Sequence, residues 1–225
     1  MYKVIMYDVY GTLFDPSSAG KAVREAFPEK EAEVASLWRR KQLDYAFLCQ
    51  MTGTYRPFSL LTKEAFIHAL EAYGIEPDDR LLQGAVEAYK TLDIYDETEE
   101  VLSRQKGVVH AVVSNGSRDM LEPLIHDSGA APFIDEILSM DEVKQYKPSP
   151  AAYQYALRYF GVNRKEVLFV SSNTWDVIGA GTFGFDTLWL NRSGSIFETG
   201  HHHPDYTGKS LYDLESILES SRSEK

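Results

Sequence analysis

Five short apolar runs separated by helical patterns restrict this chain to a narrow set of architectures. They are "YKVIMYDVYG" (2–11), "VVHAVVSNG" (108–116), "DEILSM" (135–140), "VLFVSSN" (167–173) and "DTLWLN" (186–191). The first is rich in β-branched and aromatic residues and stops at Gly11, which predicts a buried strand with Asp8 near its carboxyl end. Strands alternating with helices favour a parallel, doubly wound α/β sheet, whose ligand site lies beyond the carboxyl ends of the strands. Those ends carry Asp8, Ser114 with Asn115, and Ser171 with Asn173.

Between the first run and the rest lie residues 13–94, where no strand is expected and at least three helices are. The spacing predicts one helix through "EKEAEVASLWRRKQLDYAFLCQ", with Val34, Leu37, Trp38, Tyr45 and Leu48 on one apolar face. A second stripe, Ala35, Arg39, Leu43 and Ala46, is small and apolar but for one guanidinium. Another helix is expected after Thr62 as N-cap, ending near Gly74, and a third over "RLLQGAVEAYKTL". The expected division is a Rossmann-like core, residues 1–12 and 95–225, with residues 13–94 as an inserted helical cap.

With 225 residues, 44% of them hydrophobic, the chain can bury a core without covalent staples. Its one cysteine, Cys49, excludes an intramolecular disulfide and is expected to be a buried small hydrophobe. A formal charge of −11 argues against a nucleic-acid partner, so an anionic ligand would need a local cluster of cations. No stretch approaches the ~20 apolar residues of a membrane span, and Asp8 interrupts the first apolar run. Neither a signal peptide nor a membrane partner is indicated, and a cytoplasmic location is expected.

Asp8, followed by a turn with Gly11 and Thr12, stands where backbone N–H groups can hold its carboxylate. This suits a nucleophile, and equally an aspartate that caps its own turn. "VVSNGS" places Ser114 and Asn115 before a helix starting near Ser117, whose free N–H groups favour an anion, although both residues are common in turns. Lys147 precedes Pro148, which biases it toward an extended loop from which it can reach the crevice or face water. "FVSSNTWDVIGAG" crowds Ser171, Ser172, Asn173, Trp175 and Asp176 together, a set better suited to the wall of a site than to a core.

Taken in order, "DVYGTLFD", "LWRRKQLDY", "SNGS", "YKP" followed by Tyr153, and "FVSSNTWD" resemble the haloacid dehalogenase superfamily. The resemblance is narrowest to the type II (S)-2-haloacid dehalogenases and runs along essentially the whole chain. It implies an α/β, Rossmann-like parallel sheet core with an inserted α-helical cap, and hydrolysis of short (S)-2-haloacids to (R)-2-hydroxy acids and halide through an aspartyl ester. Carried over by position, it implies Asp8 as nucleophile supported by Thr12 and Lys147, and Arg39 as the cap residue that binds the departing halide. Ser114 and Asn115 would hold the substrate carboxylate, while Asn173 lines the site. Ser171 and Asp176, with Lys147, would position the hydrolytic water, with Tyr153 in support. Tyr10, Leu43, Phe58 and Trp175 match the wall around the reacting carbon. Relatives of this type are often homodimers. One departure is Arg40, where well-known members have glutamine; an Arg40–Asp44 pair on a wet helix face is the alternative reading of it.

Tyr10 also separates two chemistries. Phosphatases of the superfamily resemble one another in carrying a second aspartate there, because an alkoxide leaving group must be protonated. A halide needs no proton, only a cation and weak donors where charge develops, which Arg39, Asn173 and Trp175 can supply. The phosphatases also hold magnesium on an aspartate-rich motif, whereas "SSNTWD" offers one carboxylate, so no metal or other cofactor is expected. His201, His202 and His203 are read as a flexible surface loop, since consecutive side chains diverge. Two rival functions remain, a magnesium-dependent phosphomonoesterase and a non-catalytic binding module that has kept the pocket.

Overall fold

The structure, a computed structural model, describes residues 1–24 and 29–223. Its centre is a six-stranded sheet in the order β5-β4-β1-β6-β7-β8, every neighbouring pair parallel. The strands are β1 (Val4–Tyr7), β4 (Val109–Ser114), β5 (Glu136–Ser139), β6 (Val167–Ser171), β7 (Asp186–Leu190) and β8 (Tyr206–Gly208). Five match the apolar runs. The sixth, three residues long and half exposed, carries no hydrophobic pattern and pairs with β7 as Leu188 with Tyr206, Trp189 with Thr207 and Leu190 with Gly208.

Both faces of the sheet are covered, which is why its strands read as continuous apolar runs rather than alternating ones. Ile5 and Tyr7 face one core, with Val112, Leu121, Leu124 and Leu214; Val4 and Met6 face the other, with Ala152, Ala156 and Ala180. The covering helices are α5 (Glu97–Arg104), α6 (Arg118–His126), α7 (Pro150–Phe160), α8 (Thr174–Phe183) and α9 (Asp213–Ser223). After β1 the chain crosses to β4 and β5 on one side, then returns past β1 to β6 and β7 on the other. The order therefore reverses beside β1, and the crevice at that reversal lies next to Asp8.

The segment between β1 and β4 holds the short α1 (Lys21–Arg24), α2 (Glu31–Thr52), α3 (Phe58–Ala72) and α4 (Asp79–Ala88). It also holds two strands that were not expected there, β2 (Phe14–Asp15) and β3 (Asp93–Ile94), paired antiparallel as Phe14 with Ile94. Two residues each are too few to show periodicity, and the pair ties together the two ends of the helical insert.

Three sequence expectations within the insert are corrected. Thr62 does not cap a helix: α3 starts at Phe58, and Thr62 is buried inside it, donating to the Phe58 carbonyl at 2.7 Å and accepting from Gln42 Nε2 at 2.7 Å. Leu48 is 51% exposed, because the buried face of α2 runs through Val34, Trp38, Gln42, Ala46 and Cys49. That face includes a glutamine that hydropathy skipped, and Cys49 is buried as expected. Asp44 pairs with Lys41 at 3.1 Å rather than with Arg40, which is exposed. Trp38 anchors the insert by donating from Nε1 to the Thr62 carbonyl at 2.8 Å, with its ring 4.6 Å from Phe66. Burying a side chain of that size stabilises by roughly 1.5–3 kcal/mol.

Candidate active site

Asp8 follows β1 directly, its N–H held by the Val170 carbonyl of β6 at 3.0 Å, so the sheet fixes where its side chain emerges. The turn behind it needs Gly11 at φ 92°, a left-handed conformation, and a Cβ there would stand 2.9 Å from Ser172 Oγ. Thr12, next in the turn, accepts the Ser172 N–H at 3.0 Å and donates at 3.5 Å to Asp8 Oδ2. The same Oδ2 accepts from Asn173 Nδ2 at 2.7 Å, and Asn173 also donates to the Tyr10 carbonyl at 3.1 Å.

The other oxygen, Asp8 Oδ1, accepts from Lys147 Nζ at 2.9 Å. Lys147 is fully buried and uses its remaining donors on Asp176 Oδ2 at 2.6 Å and the Val113 carbonyl at 2.7 Å. A lysine without water is costly unless every N–H is paired, and here three acceptors meet it, two of them charged. Burial works against its charge, but the Asp176 and Asp8 carboxylates outweigh it and hold its pKa above the usual lysine value. Asp176 Oδ1 accepts from the buried Tyr153 hydroxyl at 2.7 Å. Burial pushes Asp176 up to about 6, Lys147 pulls it down, and the charge on Asp8 adds to the rise.

A second group of side chains meets the first from the insert. The Tyr10 ring stacks on Phe58 at 5.9 Å and meets Tyr89 edge-on at 5.6 Å; the Arg39 guanidinium lies 5.6 Å from its centre. Arg39 reaches there from α2, donating to Gln42 Oε1 at 2.5 Å, so its nearest bonded partner is neutral. The Tyr10 hydroxyl is buried without a hydrogen-bond partner among the described residues, and a Cβ on Gly116 would come within 2.8 Å of it. Trp175 completes the wall, its ring 5.9 Å from Lys147 Nζ and 5.3 Å from Phe47. A cavity of about 850 Å³ opens between α2 and residues 15–24, lined by Arg39, Arg40, Leu43 and Phe47 among others. It flanks the Asp8 cluster, and Asp8 and Lys147 are not part of its lining.

The structure therefore brings Asp8, Thr12, Lys147, Asn173, Asp176 and Tyr153 into one bonded cluster, and Tyr10, Phe58, Arg39 and Trp175 around it. Three predicted residues sit close by with their side chains engaged elsewhere. Ser114 Oγ accepts the Gly116 N–H at 3.1 Å, and Ser171 Oγ accepts the Asn173 N–H at 3.1 Å. Asn115 grips the backbone of Lys147, accepting its N–H at 2.8 Å and donating to its carbonyl at 3.1 Å. Sequence reasoning missed Gln42 and Tyr89, which shape the surroundings of Arg39. A polar residue three positions after Arg39 on the face of Trp38 was the available signal for Gln42.

The sequence matches the model of the hydrolase family described as haloacid dehalogenase-like hydrolase over residues 2–184. The chain belongs to that family. Among its relatives, the (S)-2-haloacid dehalogenase of Pseudomonas sp. strain YL is 36% identical over 221 residues, 97% of this chain and 95% of that one. Haloacetate dehalogenase H-2 of Moraxella sp. strain B is also 36% identical, over 91% of this chain and 92% of its own length. The L-2-haloacid dehalogenase of Xanthobacter autotrophicus with chloropropionic acid covalently bound superposes with a TM-score of 0.93 at 33% identity, covering 97% of this chain and 99% of that one.

The donor set of the cluster shows whether it could hold a divalent cation. Among the described residues no three His, Cys, Asp or Glu side chains gather in a group able to hold a metal ion. The position between Asp8 and Asp176 that a hard cation would need is filled by Lys147 Nζ. A divalent cation does not fit this hydrolase's cluster. Among the described residues no helix is long and apolar enough to cross a membrane.

Proposed function

We propose that this hydrolase cleaves the carbon–halogen bond of short (S)-2-haloacids, giving (R)-2-hydroxy acids and halide through an ester on Asp8. The observation that carries the reading is the bonding of Asp8: its carboxylate is held by an ammonium and an amide, with no second acid near it to protonate a leaving group except the Lys147-bound Asp176. One Asp8 oxygen attacks the halogen-bearing carbon, the carbon–halogen bond breaks with its electron pair on the halide, and the centre inverts. Arg39, above the Tyr10 ring and paired with no carboxylate among the described residues, faces the negative charge that develops on the halogen. Tyr10, Phe58, Leu43 and Trp175 exclude water from the carboxylate, which strengthens it as a nucleophile. In this reading the substrate carboxylate is held by free N–H groups at the start of α6, while the Ser114 and Asn115 side chains shape that turn through their bonds to the Gly116 N–H and the Lys147 backbone.

Water then adds to the ester's acyl carbon, the bond to the substrate oxygen breaks, and the carboxylate of Asp8 is restored. Asp176, oriented by Lys147 and Tyr153 with Ser171 close by, takes one water proton as the oxygen adds and returns it to the departing substrate oxygen, and the second water proton passes to solvent as the Asp8 carboxylate re-forms. In this reading residues 13–94 act as a cap over a core formed by 1–12 and 95–225. Because the step needs ionised Asp176, the steady-state rate of halide release is expected to fall as pH drops through an apparent value of about 6. A kcat–pH profile that is flat from neutrality to pH 5 would contradict that role.

The deciding measurement is halide release from each enantiomer of 2-chloropropanoate, with and without a chelator. Turnover of the (S) form alone, unaffected by the chelator, is expected. Magnesium-dependent phosphate release from an aryl phosphate, with no halide from either enantiomer, overturns the proposal in favour of a phosphomonoesterase.

A further inference from the structure

Lys147 lies on the loop between β5 and α7, and the helical insert grips that loop immediately before it. Gln50, near the end of α2, donates from Nε2 to Gln145 Oε1 at 2.9 Å, and its Oε1 accepts the Tyr146 N–H at 2.6 Å. The next N–H, that of Lys147 itself, is held by Asn115 of the core. Two consecutive peptides leading into the lysine are thus fixed from opposite sides, one by the core and one by the insert. Neighbouring contacts strengthen the grip: Tyr55 donates to Asp141 Oδ1 at 2.6 Å, and the Tyr146 hydroxyl donates to the Arg56 carbonyl at 2.6 Å.

Without Gln50, the Tyr146 N–H has no partner from α2, and of the two peptides leading into the lysine only that of Lys147 is still held, by Asn115. The Lys147 side chain is fully buried with Nζ within 3 Å of two carboxylates, so a small rotation of its peptide moves Nζ relative to both. We infer that Gln50 is a positioning residue, through which contact of the helical insert with the core sets the placement of the Lys147 ammonium between Asp8 and Asp176. The active arrangement of the core is then complete only while the insert is docked. This rests on the roles proposed above for Lys147 and Asp176.

A bond that merely fastened insert to core would change stability and leave the titration of the cluster alone, so the test reads the titration. The ionisable groups facing Asp176 are Lys147, Asp8 and Tyr153; the charged pairs nearest the latch, Asp141 with Lys144 and Arg56 with Glu64, lie outside the cluster. Carbon-13 NMR titration of the aspartate carboxyls is compared in the full-length wild type and Gln50→Ala. A less closely placed ammonium stabilises the Asp176 anion less, so its midpoint should rise by roughly half a unit or more. In parallel, kcat for (S)-2-chloropropanoate should fall about tenfold with KM within about twofold of wild type.

Gln50→Glu keeps the size of the side chain and an acceptor for the Tyr146 N–H but cannot donate to Gln145. It should titrate between wild type and Gln50→Ala, and it carries the test if the alanine variant does not fold. An Asp176 midpoint equal to wild type in a folded Gln50 variant, whatever its thermal stability, overturns the inference. Absence of halide release from the wild type would instead sink the proposed function, while the titration would still report on the latch.

Discussion

Replacing Asp8 by Ala is expected to abolish halide release, lowering kcat by about 10⁴-fold or more, as loss of a covalent nucleophile does elsewhere. Nothing else in the cluster can form the ester: Asp176 is buried behind Lys147 and held by Tyr153, and Thr12 is turned to the Ser172 N–H. The variant should still fold, because Lys147 keeps two of its three acceptors, Asp176 and the Val113 carbonyl. Circular dichroism and a thermal melt check that condition, and a halide assay checks the rate. A folded Asp8→Ala enzyme with wild-type turnover removes Asp8 from the chemistry. A single turnover in heavy-oxygen water tests the ester itself: the label should enter Asp8 first, since water attacks the acyl carbon. Label found only in the first hydroxy acid released would mean direct attack of water on the substrate.

Lys147→Met is expected to have the largest effect on stability, because it leaves two carboxylates facing one another with no cation between them. Removing one partner of a buried ion pair costs about 3–5 kcal/mol, which urea denaturation at pH 7 would detect. The pH dependence has a definite sign. Loss of Lys147 removes the main influence that lowers Asp176, so its already raised value climbs further. An acid whose folded pKa exceeds its unfolded value binds a proton more readily in the folded state, and stability then falls as pH rises through that window. The gap between variant and wild type should therefore be small at pH 4 and widen toward neutrality. In the wild type the contribution of Lys147, whose folded value is raised, is fully present below the ordinary lysine range and is lost as pH rises through the folded value. Turnover should fall about 10²–10³-fold, the usual effect of removing a fixed electrostatic contact from a reacting group. A variant as stable as wild type at pH 7 would show that the two carboxylates are not both ionised.

Much of the sheet was legible because its physical signal is local. Strands buried on both faces must be apolar throughout, so five of the six announce themselves as runs, and three of those, β1, β4 and β6, end where polar residues of the candidate site begin. Asp8, Asn115 and Asn173 stand at such ends, which is why position along the chain already pointed to them. Tyr10 was legible for a related reason: a halide leaves without a proton, so an apolar wall can stand where a phosphatase resembles its kin in keeping an acid. What periodicity could not show is which polar residues are buried. Thr62 has the look of a cap and Gln42 that of a wet helix face, yet both are inside, where Thr62 of α3 accepts from Gln42 at its hydroxyl and from Trp38 at its carbonyl, both of α2.

The sequence by itself determined the order along the chain of the five long strands, the long helical insertion after the first of them and which polar residues follow the strand ends. Only the tertiary structure decided that Lys147 Nζ lies between Asp8 and Asp176, that Asn115 holds the backbone of Lys147, and that Gln50 of the insert bonds to the peptide before it. The physical reason is the range of the forces involved. Burial of apolar surface is written into neighbouring residues through the repeat of helix or strand. A hydrogen bond or ion pair between residues 139 positions apart, such as Lys147 with Asp8, acquires its strength only when the fold has removed water from both.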